Sequence, residues 1–181
     1  MNDRIYVNNL SRKNKLARLA WTLVDAIFFK TTPRWALNSW RVFLLKLFGA
    51  RIGIGSRVLP SCSIWAPWNL QMGIYSVLGE GVDCYNMDII VIGDYSTISQ
   101  RAFLCGGSHD IRMKNLPLIT RPVIIGSYVW VCAEAFIHPG VSIGDYSVVS
   151  GRSVVTKDIE QNIVVSGNPA KFLKSRSIIE G

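Results

Sequence analysis

The segment Cys105-Gly106-Gly107-Ser108-His109-Asp110-Ile111 holds the side chains in this chain best suited to moving a proton. His109 is one of two histidines among 181 residues. Imidazole as a class titrates near neutrality, and either ring nitrogen can take a proton, so a positioned His is the commonest general base. Two glycines precede it and permit unusual backbone angles, and Asp110 follows it. The second histidine, His138, stands next to Ile137 where an outer surface is expected, and reads as exposed or interfacial. The cysteines Cys62, Cys84, Cys105 and Cys132 lie far apart with no CxxC pair. Three of them sit in apolar or Gly-rich surroundings suited to small buried thiols, and nothing demands an oxidising compartment.

The element that positions this loop announces itself by its period. Ile125, Val131, Ile137, Ile143, Val149 and Val155 recur at a strict spacing of six. Ile and Val make up 37 of 181 residues, so chance would produce this run in one fixed frame about once in ten thousand. Four residues after each come Val129, Ala135, Val141, Ser147, Ser153 and Ile159, all small or aliphatic. A looser ladder precedes it, through Ile54, Pro60, Ala66, Met72, Leu78 and Cys84, then Ile92, Ile98 and Leu104. Six fits neither an amphipathic helix nor a β-meander. It fits a parallel β-helix shaped as a three-faced prism, in which each hexapeptide crosses one face, sends its aliphatic residue to the axis and turns a corner. Stacked coils repeat at about 4.8 Å, so backbone groups find partners above and below. The frame gives about five coils, with a small bulge near Asn86–Ile90 and one large excursion after Leu104. Both interruptions follow the same face one coil apart, which sets Asn86 near the base of the loop, below Gly106. Loops that break a regular solenoid are where function is usually found.

The N-terminal third is different. Apolar residues recur at Leu16, Leu19, Ala20, Leu23 and Ile27, a helical period, with Lys15, Arg18, Thr22 and Asp25 on the other side. Thr32-Pro33 supplies a helix start, and a second helix is expected through Arg34–Phe48, stopping at Gly49. Residues 1–57 hold 11 Lys/Arg against Asp3 and Asp25, a net +9, while residues 58–181 hold 9 Lys/Arg against 10 Asp/Glu, a net −1. The basic excess is therefore not a nucleic-acid signature of the whole chain. The hairpin carries more apolar surface than one neighbour requires. It packs on the main domain or on another subunit, or it presents a basic, Trp-bearing face (Trp35, Trp40) to an anionic membrane surface. No window of 18 apolar residues occurs, Asp25 interrupts the apolar stretch a signal peptide would need, and the expected location is cytoplasmic, with peripheral contact at the inner membrane face in the second case.

The hexapeptide ladder, the Gly-Ser-His-Asp loop, Val155-Thr156-Lys157-Asp158 and Gly167-Asn168-Pro169-Ala170-Lys171 together resemble the left-handed β-helix acyltransferases, in the branch of maltose, galactoside and nodulation O-acetyltransferases. Ile64-Trp65-Ala66-Pro67-Trp68-Asn69-Leu70 and Leu78-Gly79-Glu80-Gly81-Val82-Asp83-Cys84-Tyr85-Asn86 are similar to the colanic-acid biosynthesis acetyltransferases. The resemblance covers nearly the whole chain. It implies a mainly β fold, a left-handed parallel β-helix at 51–162 with a catalytic loop at 105–124, an N-terminal helical hairpin at 1–50, and a tail at 163–181 with a short helix. Left-handed coiling is contrary to the usual crossover preference and comes from the resemblance alone.

The resemblance further implies a homotrimer with sites in clefts between neighbouring prisms, and acetyl-CoA as acyl donor with no metal. His109 would be the base that draws a proton from a sugar hydroxyl attacking the thioester. Asp110 would either fix its tautomer or cap the loop, and Asn86 matches a position that contacts the acceptor. Trp130 and Ala133 match the stretch along the pantetheine arm, Gly151 and Thr156 match further cofactor contacts, and Lys157, Lys171 and Lys174 match positions near the nucleotide phosphates. Lys171 and Lys174 stand where arginines are common, which removes a bidentate phosphate grip, and Cys132 and Arg152 stand where small residues are usual. The implied activity is O-acetylation of a sugar or a cell-surface polysaccharide precursor. N-acetylation of an amino sugar and a non-catalytic β-helix scaffold are the alternatives. A zinc hydratase on the same prism would need three histidines, and the chain has two.

Overall fold

Six-residue periodicity becomes three stacked faces in the structure, a computed structural model that describes residues 11–178. The first face consists of Arg51–Ile52, Leu70–Met72, Ile90–Ile92, Val123–Ile125 and Ser142–Ile143, all parallel. The second holds Arg57–Val58, Val77–Leu78, Thr97–Ile98, Trp130–Val131, Val148–Val149 and Ile163–Gly167, and the third Ser63–Ile64, Asp83–Tyr85, Phe103–Cys105, Phe136–Ile137 and Val154–Val155. Five coils are complete, and Ile159, bridged to Ile143, starts a sixth. The axis is apolar: Leu78, Ile98, Leu104, Val131, Ile137 and Val149 are fully buried. Cys62 and Cys84 belong to this core, and burial pushes the Cys62 thiol up to about 12 and the Cys84 thiol upward as well.

The expected frame holds from Met72 onward and fails in the first coil. There the inward residues are Ile52, Val58 and Ile64, two positions ahead of Ile54, Pro60 and Ala66, and Ile54 is 76% exposed. The cause is a second two-residue insertion, at the turn Pro67–Asn69, stacked directly on the expected one. Arg51 pairs with Gln71 and Leu70 with Ile90, so each of the first two coils is 20 residues long. One edge is built alike from the second coil to the fifth. Tyr75, Tyr95, Tyr128 and Tyr146 occupy it at positive φ, and their rings stack at centroid separations of 5.4, 4.9 and 4.8 Å.

Two helices close the N-terminal end. α1 (Arg12–Val24) begins at Ser11, whose hydroxyl accepts from the Asn14 backbone N–H, and continues as a π-helical turn over Asp25–Phe29. α2 spans Asn38–Leu47. Thr32-Pro33 does not start it. The Thr32 hydroxyl is used within a turn, donating to the Phe29 carbonyl and accepting from Arg41, and Leu37 at φ 61 leads into the helix.

The expected apolar face of α1 is turned the other way. Leu16, Leu19, Leu23 and Ile27 are between 56% and 67% exposed, while Trp21 is buried and Arg18 lies 3.7 Å over the Trp65 ring. The reason is the open end of the prism, whose first strands have no coil before them and leave backbone groups to be met. Polar side chains meet them. Trp21 Nε1 donates to the Ile64 carbonyl at 2.7 Å, Asn38 donates to Ser56 and accepts from the Val58 N–H, and the fully buried Arg41 donates through Nε to the Val58 carbonyl at 2.8 Å.

At the other end the tail is a strand pair, not the expected short helix. Ile163–Gly167 adds to the second face beside Val148–Val149 and folds back on Ala170–Ser175. The β-branched run Ile163-Val164-Val165 favours a pleated, half-buried position.

Candidate active site

The large excursion is a hairpin. Gly107–His109 pairs antiparallel with Leu118–Thr120, Gly107 opposite Thr120 and His109 opposite Leu118. The Gly106 N–H donates to the Tyr85 carbonyl at 2.9 Å, and its own carbonyl accepts from Arg121 at 3.1 Å, so the hairpin leaves and rejoins the prism at one point. Tyr85 is in register with Cys105, which sets Asn86 beside the loop base as the coil arithmetic requires. Neither Gly106 nor Gly107 has a left-handed φ. They are glycines because of close approach: a Cβ on Gly106 would lie 3.0 Å from the Tyr85 carbonyl oxygen, and one on Gly107 2.8 Å from Met87 Sδ.

His109 ends its strand at the hairpin tip and is exposed. Its Nδ1 lies 2.7 Å from the Leu116 carbonyl oxygen. A carbonyl only accepts, so this contact requires the proton on Nδ1 and leaves the lone pair of the neutral ring on Nε2. Leu116 adopts φ 42, an arrangement uncommon for a branched side chain that turns this carbonyl toward the ring. An open cleft of about 620 Å³ adjoins, lined by His109, Asp110, Ile111, Arg112, Ile119, Thr120 and Arg121.

Of the two roles open to Asp110, the geometry matches loop capping. Its carboxylate accepts from Arg112 Nε at 2.8 Å and Nη2 at 2.7 Å, and from the Arg112 backbone N–H at 3.1 Å. Those bonds hold the carboxyl down at about 2. The tautomer is set by the Leu116 carbonyl instead.

Asn86, matched to a position that contacts the acceptor, bonds within the chain in this structure. It is fully buried, its Oδ1 accepts from the Ala66 N–H at 2.9 Å and its Nδ2 donates to the Ala66 carbonyl. Each end of the amide joins the two inserted turns.

The remaining candidates fall on different edges of the prism. Thr156 and Lys157 are exposed at the edge that carries the hairpin, two coils beyond it; the half-buried His138 lies one coil beyond it on the same edge, and its ring meets Phe136 edge-on at 5.0 Å. Trp130 lies on the second face, half exposed, with Nε1 donating to Ser99 Oγ at 2.8 Å. It borders a cleft of about 550 Å³ with Tyr95, Tyr128 and Arg176. Ala133 and Gly151 stack at the edge between the second and third faces, where the Ala133 carbonyl accepts from the Arg152 N–H. Arg152 earns its place at this corner: with Arg101 it brackets Glu134, whose carboxyl the pair holds below its ordinary range. Lys171 and Lys174 are exposed on the terminal strand, opposite Ser166 and Val164. Thus Asn86, His109, Thr156 and Lys157 are brought to one edge, while Trp130, Ala133, Gly151, Lys171 and Lys174 lie elsewhere on the same prism.

Sequence reasoning missed the Leu116 carbonyl and had no signal for it, since leucine does not advertise a positive φ. It also missed Arg112, which the Asp-x-Arg spacing could have suggested, and Arg176, whose Nη1 braces the Tyr128 and Tyr146 carbonyls at 2.8 and 2.9 Å. Among the described residues, no group of three His, Cys, Asp or Glu side chains is arranged to hold a metal.

No family model matches the chain. Individual proteins do. The chain is 42% identical over 156 residues to the "Putative colanic acid biosynthesis acetyltransferase WcaF" of Escherichia coli K12, covering 86% of this chain and 85% of that one. It is 30% identical over 137 residues to the galactoside O-acetyltransferase of the same organism, covering 74% and 68%. Among solved structures, a hexapeptide-repeat acetyltransferase of Vibrio cholerae complexed with acetyl-CoA superposes with a TM-score of 0.85 at 22% identity over 96% of this chain and 94% of that one. A galactoside acetyltransferase in complex with coenzyme A gives 0.82 at 23% identity, over 94% and 86%. The prism, its hairpin and these identities lead to one conclusion: the chain belongs to the hexapeptide-repeat acetyltransferases.

Proposed function

We propose that this chain transfers an acetyl group from acetyl-CoA to a hydroxyl of a sugar or cell-surface polysaccharide precursor, with His109 as general base. The observation that carries the reading is the bond from His109 Nδ1 to the Leu116 carbonyl, which leaves Nε2 as the accepting nitrogen. In the reaction Nε2 takes the hydroxyl proton as the oxygen attacks the thioester carbonyl. Collapse of the tetrahedral intermediate breaks the C–S bond, and the imidazolium returns the proton to the departing sulfur. The products are an acetyl ester and the free thiol. The imidazolium formed on the way is stabilised by the same carbonyl, which accepts its Nδ1 proton throughout.

The working unit is a homotrimer. Of the residues matched to the cofactor, Thr156 and Lys157 share the edge of His109 while Trp130, Ala133, Gly151, Lys171 and Lys174 lie elsewhere on the prism, and a cleft between two prisms would join an edge of one copy to a face of the next. Lys157, Lys171 and Lys174 are exposed cations that suit the nucleotide phosphates, though as point charges and without the fork of arginine. The Vibrio cholerae relative was solved with acetyl-CoA, and a galactoside O-acetyltransferase is among the relatives.

The test is thiol release from acetyl-CoA across a panel of sugars, amino sugars and oligosaccharides. Turnover that requires a hydroxyl and falls by about 10²–10⁴ in His109→Ala supports the reading. Near-normal turnover in that variant removes His109 as the base, and turnover only with amino sugars replaces O-transfer by N-transfer.

A further inference from the structure

Among the described residues, the face that α1 and α2 turn away from the prism is left exposed, and its composition is one-sided. On α1 it is Leu16, Leu19, Leu23 and Ile27, each more than half exposed. At a rise of 1.5 Å per residue the stripe from Leu16 to Ile27 runs for roughly 17 Å. On α2 the outward residues are Trp40, Phe43 and Leu47, with the Trp40 and Phe43 rings stacked at 5.7 Å. Trp40 Nε1 donates to the Phe28 carbonyl at 3.0 Å, which ties the two outward faces into one surface. Trp35, 88% exposed, stands apart from them, by Arg57, Leu59 and Val77 on the flank of the prism.

The charge of this surface is one-sided too. Arg12, Lys13 and Lys15 are exposed in the first turn of α1, and Lys46 is exposed on α2. The one carboxylate on either helix or the π-helical turn is Asp25, which is turned inward and paired with Lys30 at 3.0 Å.

Position decides what can cover it. The inner faces of both helices satisfy the open backbone groups of the first coil, at Ser56, Val58 and Ile64. The opposite faces therefore look outward from the end of the prism. Copies packed side by side bury flanks and leave that end free. An apolar stripe edged by cations, at the end of a rod and with no carboxylate among it, matches a planar anionic surface.

We propose that the helical cap docks on an anionic lipid bilayer, with α1 lying in the interfacial plane, its leucine stripe among the acyl chains and Arg12, Lys13 and Lys15 at the phosphates. Among the described residues no helix is long and apolar enough to cross a membrane, so the contact is peripheral. The proposal stands apart from the reaction assigned to His109 and does not depend on it.

Flotation of the whole chain with vesicles of phosphatidylglycerol and phosphatidylcholine, against phosphatidylcholine alone, tests it, with light scattering to follow the oligomer. The expected result is binding to the anionic vesicles at low salt and release as salt rises. Removing single charges (Arg12→Gln, Lys13→Gln or Lys15→Gln) should weaken partitioning roughly fivefold each. The variant Leu16→Ser/Leu19→Ser/Leu23→Ser should weaken it by at least about tenfold while circular dichroism and melting remain native, because these side chains leave the core untouched. No binding of the native chain at low salt overturns the proposal. So does a leucine variant that binds vesicles normally but changes oligomeric mass, since the stripe would then be a contact between copies.

Discussion

The regular coils from Val123 to Val155 and the hairpin Gly107–Thr120 that interrupts the coils just before them are built on opposite terms. In the coils every sixth side chain is aliphatic and fully or almost fully buried, and backbone groups pair with the coil above and below. In the hairpin the side chains from Ser108 to Lys114 are exposed or half-exposed, and shape comes from a few polar contacts at the tip. Stability therefore resides in the first, and the chemistry proposed for His109 in the second. A pattern of apolar burial can repeat because it asks only for the same thing in each coil. A site cannot repeat, because it needs one group at one place.

Four changes would break or sharpen this contrast. His109→Ala should have the largest effect on activity, a loss of about 10²–10⁴ in kcat, with the melting temperature unchanged; a drop in stability of the same size would show that the hairpin is structural. Ile137→Ala should do the reverse, costing about 2–5 kcal/mol in denaturant unfolding while turnover per folded molecule is retained. Asn86→Leu lies at the border between the two regions. It should cost about 1–3 kcal/mol by leaving the buried Ala66 N–H unmet, and a raised KM for acceptor with stability intact would instead return Asn86 to the acceptor site.

Asp110→Asn should be the mildest, lowering kcat by less than about tenfold. Its pH signature is specific. The folded-state carboxyl is depressed to about 2 by Arg112, so the pair is present above the ordinary carboxylate range and lost only as pH falls toward that value. Proton NMR of the hairpin should place the transition there; a transition near the ordinary range would mean the pair does not form.

Much of this was legible beforehand. The ladder from Met72 to Val155 could be read because each face demands the same aliphatic position, and one large gap in it marked the hairpin and His109. What escaped reading was of another kind. The first coil was framed two residues late because Ile54 is as aliphatic as Ile52, and only the pairing of Arg51 with Gln71 separates them. Asp110 and Asn86 are polar residues beside the site, and sequence does not say whether a polar side chain faces a substrate or the backbone of its own chain.

The sequence by itself determined the prism, its coil length and the position of the excursion, since a six-residue period of aliphatic side chains has one economical burial. It also determined that α1 is amphipathic. Only the tertiary structure decided which way α1 faces: Trp21 packs inward against Phe29 and Phe48 and gives its Nε1 proton to the open Ile64 carbonyl of the first coil, leaving the leucines outward. Likewise it decided which nitrogen of His109 keeps its proton, since that rests on a carbonyl seven residues away whose direction no local pattern encodes.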